Sequence, residues 1–144
     1  MKISHLGIAV RDLAASEQLF ATILGETGPI HHEQVDDQKV RIASFQLGES
    51  YVELTEPMSG DSPISKFIEK RGEGIHHVAF EVDDVNAHLQ RLKAQGFQLI
   101  DEQCRPGSHG MMIAFLHPKS TNGVLVELCQ KRESLAADQA HGTA

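Results

Sequence analysis

The chain has 144 residues, of which 40% are hydrophobic, and these values favour one compact folded unit with a core of its own. Acidic residues outnumber basic ones by 20 to 13, and the formal net charge is −7. The sequence contains no cluster of Lys and Arg residues that could bind along a phosphate backbone, which argues against a nucleic acid partner. No apolar run approaches the roughly 18 residues that cross a bilayer, and a strand pattern begins almost at once, so we expect a soluble, cytoplasmic protein with no membrane partner.

The first predicted element is a strand from about residue 3 to residue 10. Side chains alternate between the two faces of a strand. The face with Leu6 and Ile8 is apolar, and we expect it to pack under a helix. On the other face, the imidazole of His5 lies beside Gly7 and Ala9, which have almost no side chain. This arrangement predicts space for something other than protein.

A helical pattern follows, with Asp12 as N-cap and Gly25 as the residue that stops the helix. Strand-like runs then cover about 39–47 and 50–55. In the second run, Glu53 stands between apolar residues that normally line a core. A buried carboxylate costs free energy unless it is paired or bound to a metal, so Glu53 is a candidate ligand.

Two segments lie outside this pattern. A short linker helix is predicted over about 62–70, with Pro63 at its first helical position. The segment 131–144 is polar and Ala-rich without an apolar period, and we expect it to form a flexible tail.

The second half of the chain repeats the first. Residues 75–85 align with residues 3–13 without a gap, and His77 then falls on His5. A helical pattern and strand-like runs again follow. The simplest interpretation is an α+β fold made of two βαβββ modules in a single domain. The predicted modules and domain cover residues 3–56, 74–130 and 1–130.

One imidazole and one carboxylate in each module form a candidate metal site. The last predicted strand of the second module, about 123–129, carries Glu127 between apolar residues, as Glu53 is placed in the first. A single His on a strand is more often hydrogen-bonded or exposed than a ligand, but matching His and Glu residues would rarely recur in both halves by chance. Nitrogen and oxygen donors suit Zn, Co, Ni, Mn or Fe(II). The predicted ligands are His5, Glu53, His77 and Glu127.

The other histidines are weaker candidates. His76 points toward the packing face and is expected to be a core or supporting residue. His109 and His117 stand at strand ends, where loops often carry function. Lys119 could meet an acidic ligand or be an ordinary turn lysine. Loop, helix-surface or tail positions are predicted for His31, His32, His88 and His141.

Several blocks of this sequence closely resemble the methylmalonyl-CoA epimerase family, within the vicinal-oxygen-chelate superfamily of glyoxalases, bleomycin-resistance proteins and extradiol dioxygenases. The likeness extends over about residues 3–130, and its later blocks are the more specific ones. The blocks are residues 5–10, 61–64, 71–84, 115–120 and 123–128.

The resemblance implies a curved, partly closed mixed sheet around one divalent ion, either Co, Zn, Mn or Ni, held by the four predicted ligands. The implied reaction interconverts the (R) and (S) forms of methylmalonyl-CoA through an enolate. Glu127 would be one base, and Glu53 or another group the second. The coenzyme A part of the substrate is expected near Lys119 and Ser120, and a homodimer is expected.

Two positions depart from the family pattern. Residue 53 is Gln in some members and Glu here, and Arg41 corresponds to a glutamate that is proposed as a base in some members. Three alternative functions stay open at this point. Glyoxalase I would use a similar metal and carboxylates, an extradiol dioxygenase would use two His and one carboxylate on Fe(II), and a non-catalytic protein on this scaffold would only bind a small molecule.

Overall fold

The computed structural model describes residues 1–132, which divide into two compact units. We call His5–His77 the first unit; Met1–Ser4 together with the described residues from Val78 onward form the second unit. Of the predicted flexible tail, all residues after Arg132 lie outside the described part of the chain.

Eight strands and three α-helices are assigned within these residues. The first six are β1 Lys2–Ala9, α1 Leu13–Leu24, β2 His31–Val35, β3 Val40–Leu47, β4 Ser50–Pro57 and α2 Pro63–Arg71. The remaining five are β5 Gly74–Glu81, α3 Val85–Ala94, β6 Arg105–Pro106, β7 Met111–Leu116 and β8 Val126–Lys131. Across residues 1–132, no helix has the length and hydropathy needed to cross a lipid bilayer.

Each half of the sheet combines parallel and antiparallel pairs. In the first half the strand order is β2-β3-β4-β1, with β1 parallel to β4 and the other neighbours antiparallel. In the second half the order is β5-β8-β7-β6, with β5 parallel to β8 and the other neighbours antiparallel. The predicted α+β class with two βαβββ modules is therefore confirmed.

Aspartates begin the helix of each module. The side chain of Asp12 accepts a hydrogen bond from the backbone N–H of Ala15, and Asp84 accepts one from Ala87. Both bonds satisfy donors that the first helical turn leaves without an intrahelical partner. Gly25 ends α1 in the left-handed conformation, with φ of 70°. The predicted helix boundaries follow from this local chemistry.

A second anchor holds each helix start to the last strand of its module. In the first module, the N–H of Leu13 donates to Glu56 Oε2 at 2.7 Å. In the second module, the N–H of Val85 donates to Gln130 Oε1 at 2.6 Å. Glu56 stands three residues after Glu53, and Gln130 stands three residues after Glu127. The duplication therefore extends to hydrogen bonds that the sequence analysis did not predict.

The first unit has apolar packing on both faces of its sheet. One cluster joins α1 to the apolar face of the strands and contains Val10, Ala21, Phe45, Val52 and Leu54. A second cluster joins α2 to the opposite face and contains Ala9, Val35, Val40, Ile42, Ile64 and Ile68. The linker helix thus covers part of the strand face that carries His5, because Ala9 belongs to that face and is fully buried.

Strand β2 was not located from the sequence. It contains His31 and His32, and their predicted loop position was wrong, because both pair with β3 in the antiparallel ladder. His31 Nε2 lies 2.8 Å from Glu33 Oε1 within the same strand. A strand at the end of the sheet with mostly polar residues lacks the apolar alternation from which strands are predicted.

Candidate metal-binding active site

The register between β1 and β4 places two predicted ligands on one face of the first unit. His5 is opposite Tyr51 and Gly7 is opposite Glu53, so alternation directs His5, Tyr51 and Glu53 to the same side. His5 Nε2 lies 3.7 Å from Glu53 Oε2. His5 is only 2% exposed and Glu53 only 4%. Both side chains are therefore buried, and their role as metal ligands stays a prediction.

His77 joins this pair within the first unit. Its Nε2 atom lies 3.1 Å from His5 Nε2, and the residue is 6% exposed. A hydrogen bond between two ring nitrogens needs one proton, so one imidazole donates and the other accepts. The buried His5 therefore lies close both to a second imidazole and to a carboxylate.

Tyr51 contacts His5, and the sequence analysis did not identify it as part of the site. Its ring stacks on the imidazole of His5, with ring centroids 4.7 Å apart and an angle of 20° between the planes. Strand alternation gave a signal for it, because Tyr51 precedes Glu53 by two residues and so shares its face.

Gly7 provides the space into which the ring of His77 fits. A Cβ atom at position 7 would lie 2.0 Å from His77 Cε1 and 2.4 Å from His77 Nδ1. The sequence analysis expected the small residues beside His5 to leave room for something other than protein. At Gly7 that expectation was wrong, because the imidazole of His77 occupies the room.

His76 contacts His77 through the ring nitrogen that points away from His5. The Nδ1 atoms of His76 and His77 are 3.0 Å apart. The ring of His76 also meets the ring of Phe67 edge to face, with centroids 5.0 Å apart. Strand alternation predicted His76 on the packing face, and its contact with a neighbouring side chain on the same strand could not be read from alternation.

Burial favours the neutral forms of the His76 and His77 imidazoles. Burial lowers the pKa of His77 well below 6.5, and the neighbouring His5 and His76 lower it further. Burial also lowers the pKa of His76 to about 4. A neutral imidazole has a lone pair that can bind a cation, so His77 is in the protonation state that a metal ligand needs.

The distances from His5 to His77 and to Glu53 can be compared with those between two ligands of one divalent ion. Bonds of about 2.0–2.2 Å from nitrogen or oxygen to such an ion, in tetrahedral or octahedral geometry, separate neighbouring donor atoms by about 3.0–3.5 Å. The distance of 3.1 Å between the two Nε2 atoms lies in this range, and the distance of 3.7 Å from His5 to Glu53 is slightly longer. Imidazole and carboxylate donors suit Zn, Co, Ni or Mn.

Glu127 lies on β8 of the second unit and is 4% exposed. Its neighbour across the parallel β5–β8 pair is Ala79, as Gly7 is the neighbour of Glu53 across the β1–β4 pair. The two carboxylates therefore hold equivalent positions in their modules, each beside a small residue. That Glu127 binds the same ion as the other three residues stays a prediction.

Arg41 faces away from the candidate ligands. It lies opposite Glu56 in the β3–β4 pair, whereas Ser44 lies opposite Glu53, so Arg41 and Glu53 point to different sides of the sheet. Arg41 Nη1 donates to Glu56 Oε1 at 2.7 Å. Ile42 shares the face of Glu53 but has no titratable group. Neither Arg41 nor Ile42 can therefore take the place of the glutamate that some family members have as a base.

The predicted coenzyme A contacts lie in the second unit. Lys119 and Ser120 belong to the 3₁₀ helix Pro118–Ser120, where Lys119 is exposed. The hydroxyl of Ser120 accepts a hydrogen bond from the backbone N–H of Gln98 at 2.8 Å. Ser120 thus connects two loops of the described chain, and its contact with a substrate is a prediction.

Comparison with known proteins identifies the family. A model described as the glyoxalase/bleomycin resistance protein/dioxygenase superfamily matches residues 4–115. The ethylmalonyl-CoA/methylmalonyl-CoA epimerase of Cereibacter sphaeroides is 39% identical over 132 residues, which cover 90% of this chain and 97% of that protein. The mitochondrial methylmalonyl-CoA epimerase of Homo sapiens is 37% identical over 134 residues, which cover 90% and 73%.

A solved structure agrees with these relatives. A Streptomyces coelicolor methylmalonyl-CoA epimerase variant in complex with 2-nitronate-propionyl-CoA matches with a TM-score of 0.87 and 36% identity, over 92% of this chain and 95% of that one. The chain belongs to the methylmalonyl-CoA epimerase family. This membership confirms the resemblance seen in the sequence. The relatives favour an epimerase over glyoxalase I, an extradiol dioxygenase or a non-catalytic binding protein.

Proposed function

We propose that this protein interconverts the (R) and (S) forms of methylmalonyl-CoA by removing and returning the proton on the 2-carbon. Its membership of the methylmalonyl-CoA epimerase family supports this choice of substrate. The observation that carries the proposal is the buried imidazole of His5, whose Nε2 atom lies 3.1 Å from His77 Nε2 and 3.7 Å from Glu53 Oε2. This donor set offers both a metal site and a carboxylate.

The proposed metal ligands are His5, Glu53, His77 and Glu127, and the proposed ion is Co, Zn, Mn or Ni. The equivalent positions of Glu53 and Glu127 beside Gly7 and Ala79 support the inclusion of Glu127. A divalent ion held by these residues would supply Lewis-acid stabilisation of the negative charge that develops when the proton leaves the 2-carbon.

The proposed acid and base are Glu53 and Glu127. Epimerisation needs one group that takes the carbon-bound proton and one that returns a proton on the opposite face. Two carboxylates from equivalent strands of duplicated modules can exchange these roles according to the configuration of the substrate. Burial of Glu53 and Glu127 limits access of water to the carbanionic intermediate. Arg41 and Ile42 do not supply a base, and Glu53 is the base that we propose in the first unit.

The proposed substrate is an acyl-CoA, and Lys119 and Ser120 are its proposed contacts. The exposed ammonium group of Lys119 can meet a phosphate of coenzyme A. Ser120 keeps a donor proton for a ligand oxygen while its Oγ accepts from Gln98. The homodimer implied by the family resemblance and the cytoplasmic location expected from the sequence stay predictions.

Exchange of the substrate's 2-hydrogen tests the proposed function. Protein loaded with Co²⁺ should catalyse the incorporation of deuterium from D₂O at the 2-carbon of methylmalonyl-CoA. Mass spectrometry of the substrate measures this incorporation. Glu127→Gln and Glu53→Gln should each slow this exchange by about 10²–10⁴-fold, because each removes a group that transfers a proton. The same change at the exposed turn residue Glu49 should leave the rate unaltered.

Two outcomes would contradict the proposal. Absence of exchange with the metal-loaded protein would overturn the epimerase function, and unaltered exchange in both glutamine variants would overturn the roles of Glu53 and Glu127. Turnover of a glutathione hemithioacetal in place of methylmalonyl-CoA would identify a glyoxalase I instead.

A further inference from the structure

His77 has a defined contact at each of its two ring nitrogens. Nε2 faces His5 Nε2 at 3.1 Å, and Nδ1 faces His76 Nδ1 at 3.0 Å. The face of the ring next to Cε1 lies over Gly7, where no Cβ atom intervenes. The orientation of this imidazole is therefore fixed by His76 on one side and by Gly7 on another.

The position of the protons follows from what a metal ligand needs. If Nε2 of His77 binds a cation, its lone pair must be available, and the ring proton must then reside on Nδ1. An Nδ1–H group needs an acceptor when it is buried. Nδ1 of His76 lies at hydrogen-bond distance and can accept when the proton of His76 is on its own Nε2. The chemistry of a metal ligand thus assigns a direction to this hydrogen bond.

We propose that His76 is a positioning residue, which accepts a hydrogen bond from His77 Nδ1–H and thereby holds His77 Nε2 toward the ion. The edge-to-face contact with Phe67 keeps the ring of His76 in place. Metal-binding imidazoles commonly donate their other N–H to a carboxylate or carbonyl, and in this chain the acceptor is another imidazole. This inference rests on the proposed function insofar as that function includes a metal bound by His77.

Two substitutions of His76 distinguish the effect of its ring volume on Co²⁺ affinity from the effect of its hydrogen-bond acceptor. His76→Phe keeps an aromatic ring but removes the acceptor, and the dissociation constant for Co²⁺ should rise by about 10–100-fold. His76→Asn places an amide oxygen near the position of Nδ1 and should bind Co²⁺ within about threefold of the unchanged protein. His32→Phe is the control, because its side chain is 60% exposed, and it should bind Co²⁺ normally. Titration of the metal-free variants, followed by visible absorption of Co²⁺, gives the constants.

NMR of the unchanged protein tests the same inference without any variant. Long-range ¹H–¹⁵N spectra of ¹⁵N-labelled metal-free protein should show the proton of His77 on Nδ1. A proton on Nε2 of His77, or normal Co²⁺ binding by His76→Phe, would overturn the role of His76 while the metal site itself remained. Failure of the unchanged protein to bind Co²⁺ would overturn both the proposed metal site and this inference.

Discussion

At the scale of single residues, the candidate site depends on a glycine as much as on its ligands. The imidazole of His77 lies where the side chain of any other residue at position 7 would be. Gly7 also faces Glu53 across the β1–β4 pair. The absence of a side chain at position 7 therefore makes room on β1 for the imidazole of His77.

Replacement of Gly7 should disturb the site and the stability together. In Gly7→Ala, the added Cβ would lie 2.0 Å from His77 Cε1, so the ring must move. We expect the free energy of unfolding to fall by about 1–3 kcal/mol, the usual cost of overpacking a filled interior. Co²⁺ should bind about 10-fold more weakly or worse, because His77 Nε2 is displaced. Urea denaturation and Co²⁺ titration measure these effects.

Gly28→Ala is the matched control, since no atom lies within 4 Å of a Cβ at that position. Its stability and its affinity for Co²⁺ should stay within the error of the measurement. Normal Co²⁺ affinity in Gly7→Ala would show that His77 does not need its present position, and the account of the site would then be wrong.

The sequence led to the proposed ligands but not to their contacts. His5, Glu53, His77 and Glu127 were proposed because the same residue types recur at aligned places in two modules. The contact between His76 and His77 joins successive residues of a strand, which alternation assigns to opposite faces. Periodicity gives the face of a residue but not the direction of a ring.

At the scale of elements, the same two kinds of hydrogen bond hold the start of the helix in each module. An aspartate caps the first turn, and a side chain three residues after the candidate ligand accepts the first helical N–H. The strand that carries Glu53 or Glu127 therefore also positions the helix that packs on the sheet. The element that anchors the helix is the element that bears the carboxylate.

Loss of the anchor in the second module should destabilise the fold. Gln130 is 1% exposed, and its Oε1 accepts from Val85 N–H at 2.6 Å. Gln130→Leu leaves that buried N–H without its acceptor, so we expect the free energy of unfolding to fall by about 1–3 kcal/mol. Amide hydrogen exchange at Val85 should become faster. Urea denaturation and exchange monitored by NMR measure both effects.

Gln18→Leu is the control for this change, because Gln18 lies on the exposed side of α1, and its effect should stay within about 0.5 kcal/mol. Equal stability of Gln130→Leu and the unchanged protein would show that the anchor contributes nothing. A repeat-based comparison could have found this anchor, since the offsets from Glu53 to Glu56 and from Glu127 to Gln130 are equal.

The strands and helices with clear periodicity were predicted, and the others were missed. α1, α2 and α3 have capping residues and apolar faces, and β3, β4, β7 and β8 have apolar runs. β2 consists mainly of polar residues, and β6 has only two residues, Arg105–Pro106. Their pairing is decided by the neighbouring strand rather than by their own sequence, so no local pattern could locate them.

At the scale of the whole molecule, the duplication explains why the proposed ligands comprise two imidazoles and two carboxylates. Each sequence module contributes one imidazole and one carboxylate, so neither module alone contains the four proposed ligands. The first compact unit includes three of the proposed ligands, with His77 Nε2 3.1 Å from His5 Nε2. Glu127 of the second unit is the ligand whose participation is proposed from the repeat rather than from a contact.

The central claim is that these four residues bind one divalent ion. Its most direct test is anomalous diffraction at the cobalt absorption edge from crystals grown with Co²⁺. We expect one anomalous peak per chain, about 2.0–2.3 Å from His5 Nε2, His77 Nε2 and one carboxylate oxygen each of Glu53 and Glu127. A peak elsewhere, or an ion bound without Glu127, would contradict the account of a single site built from both modules.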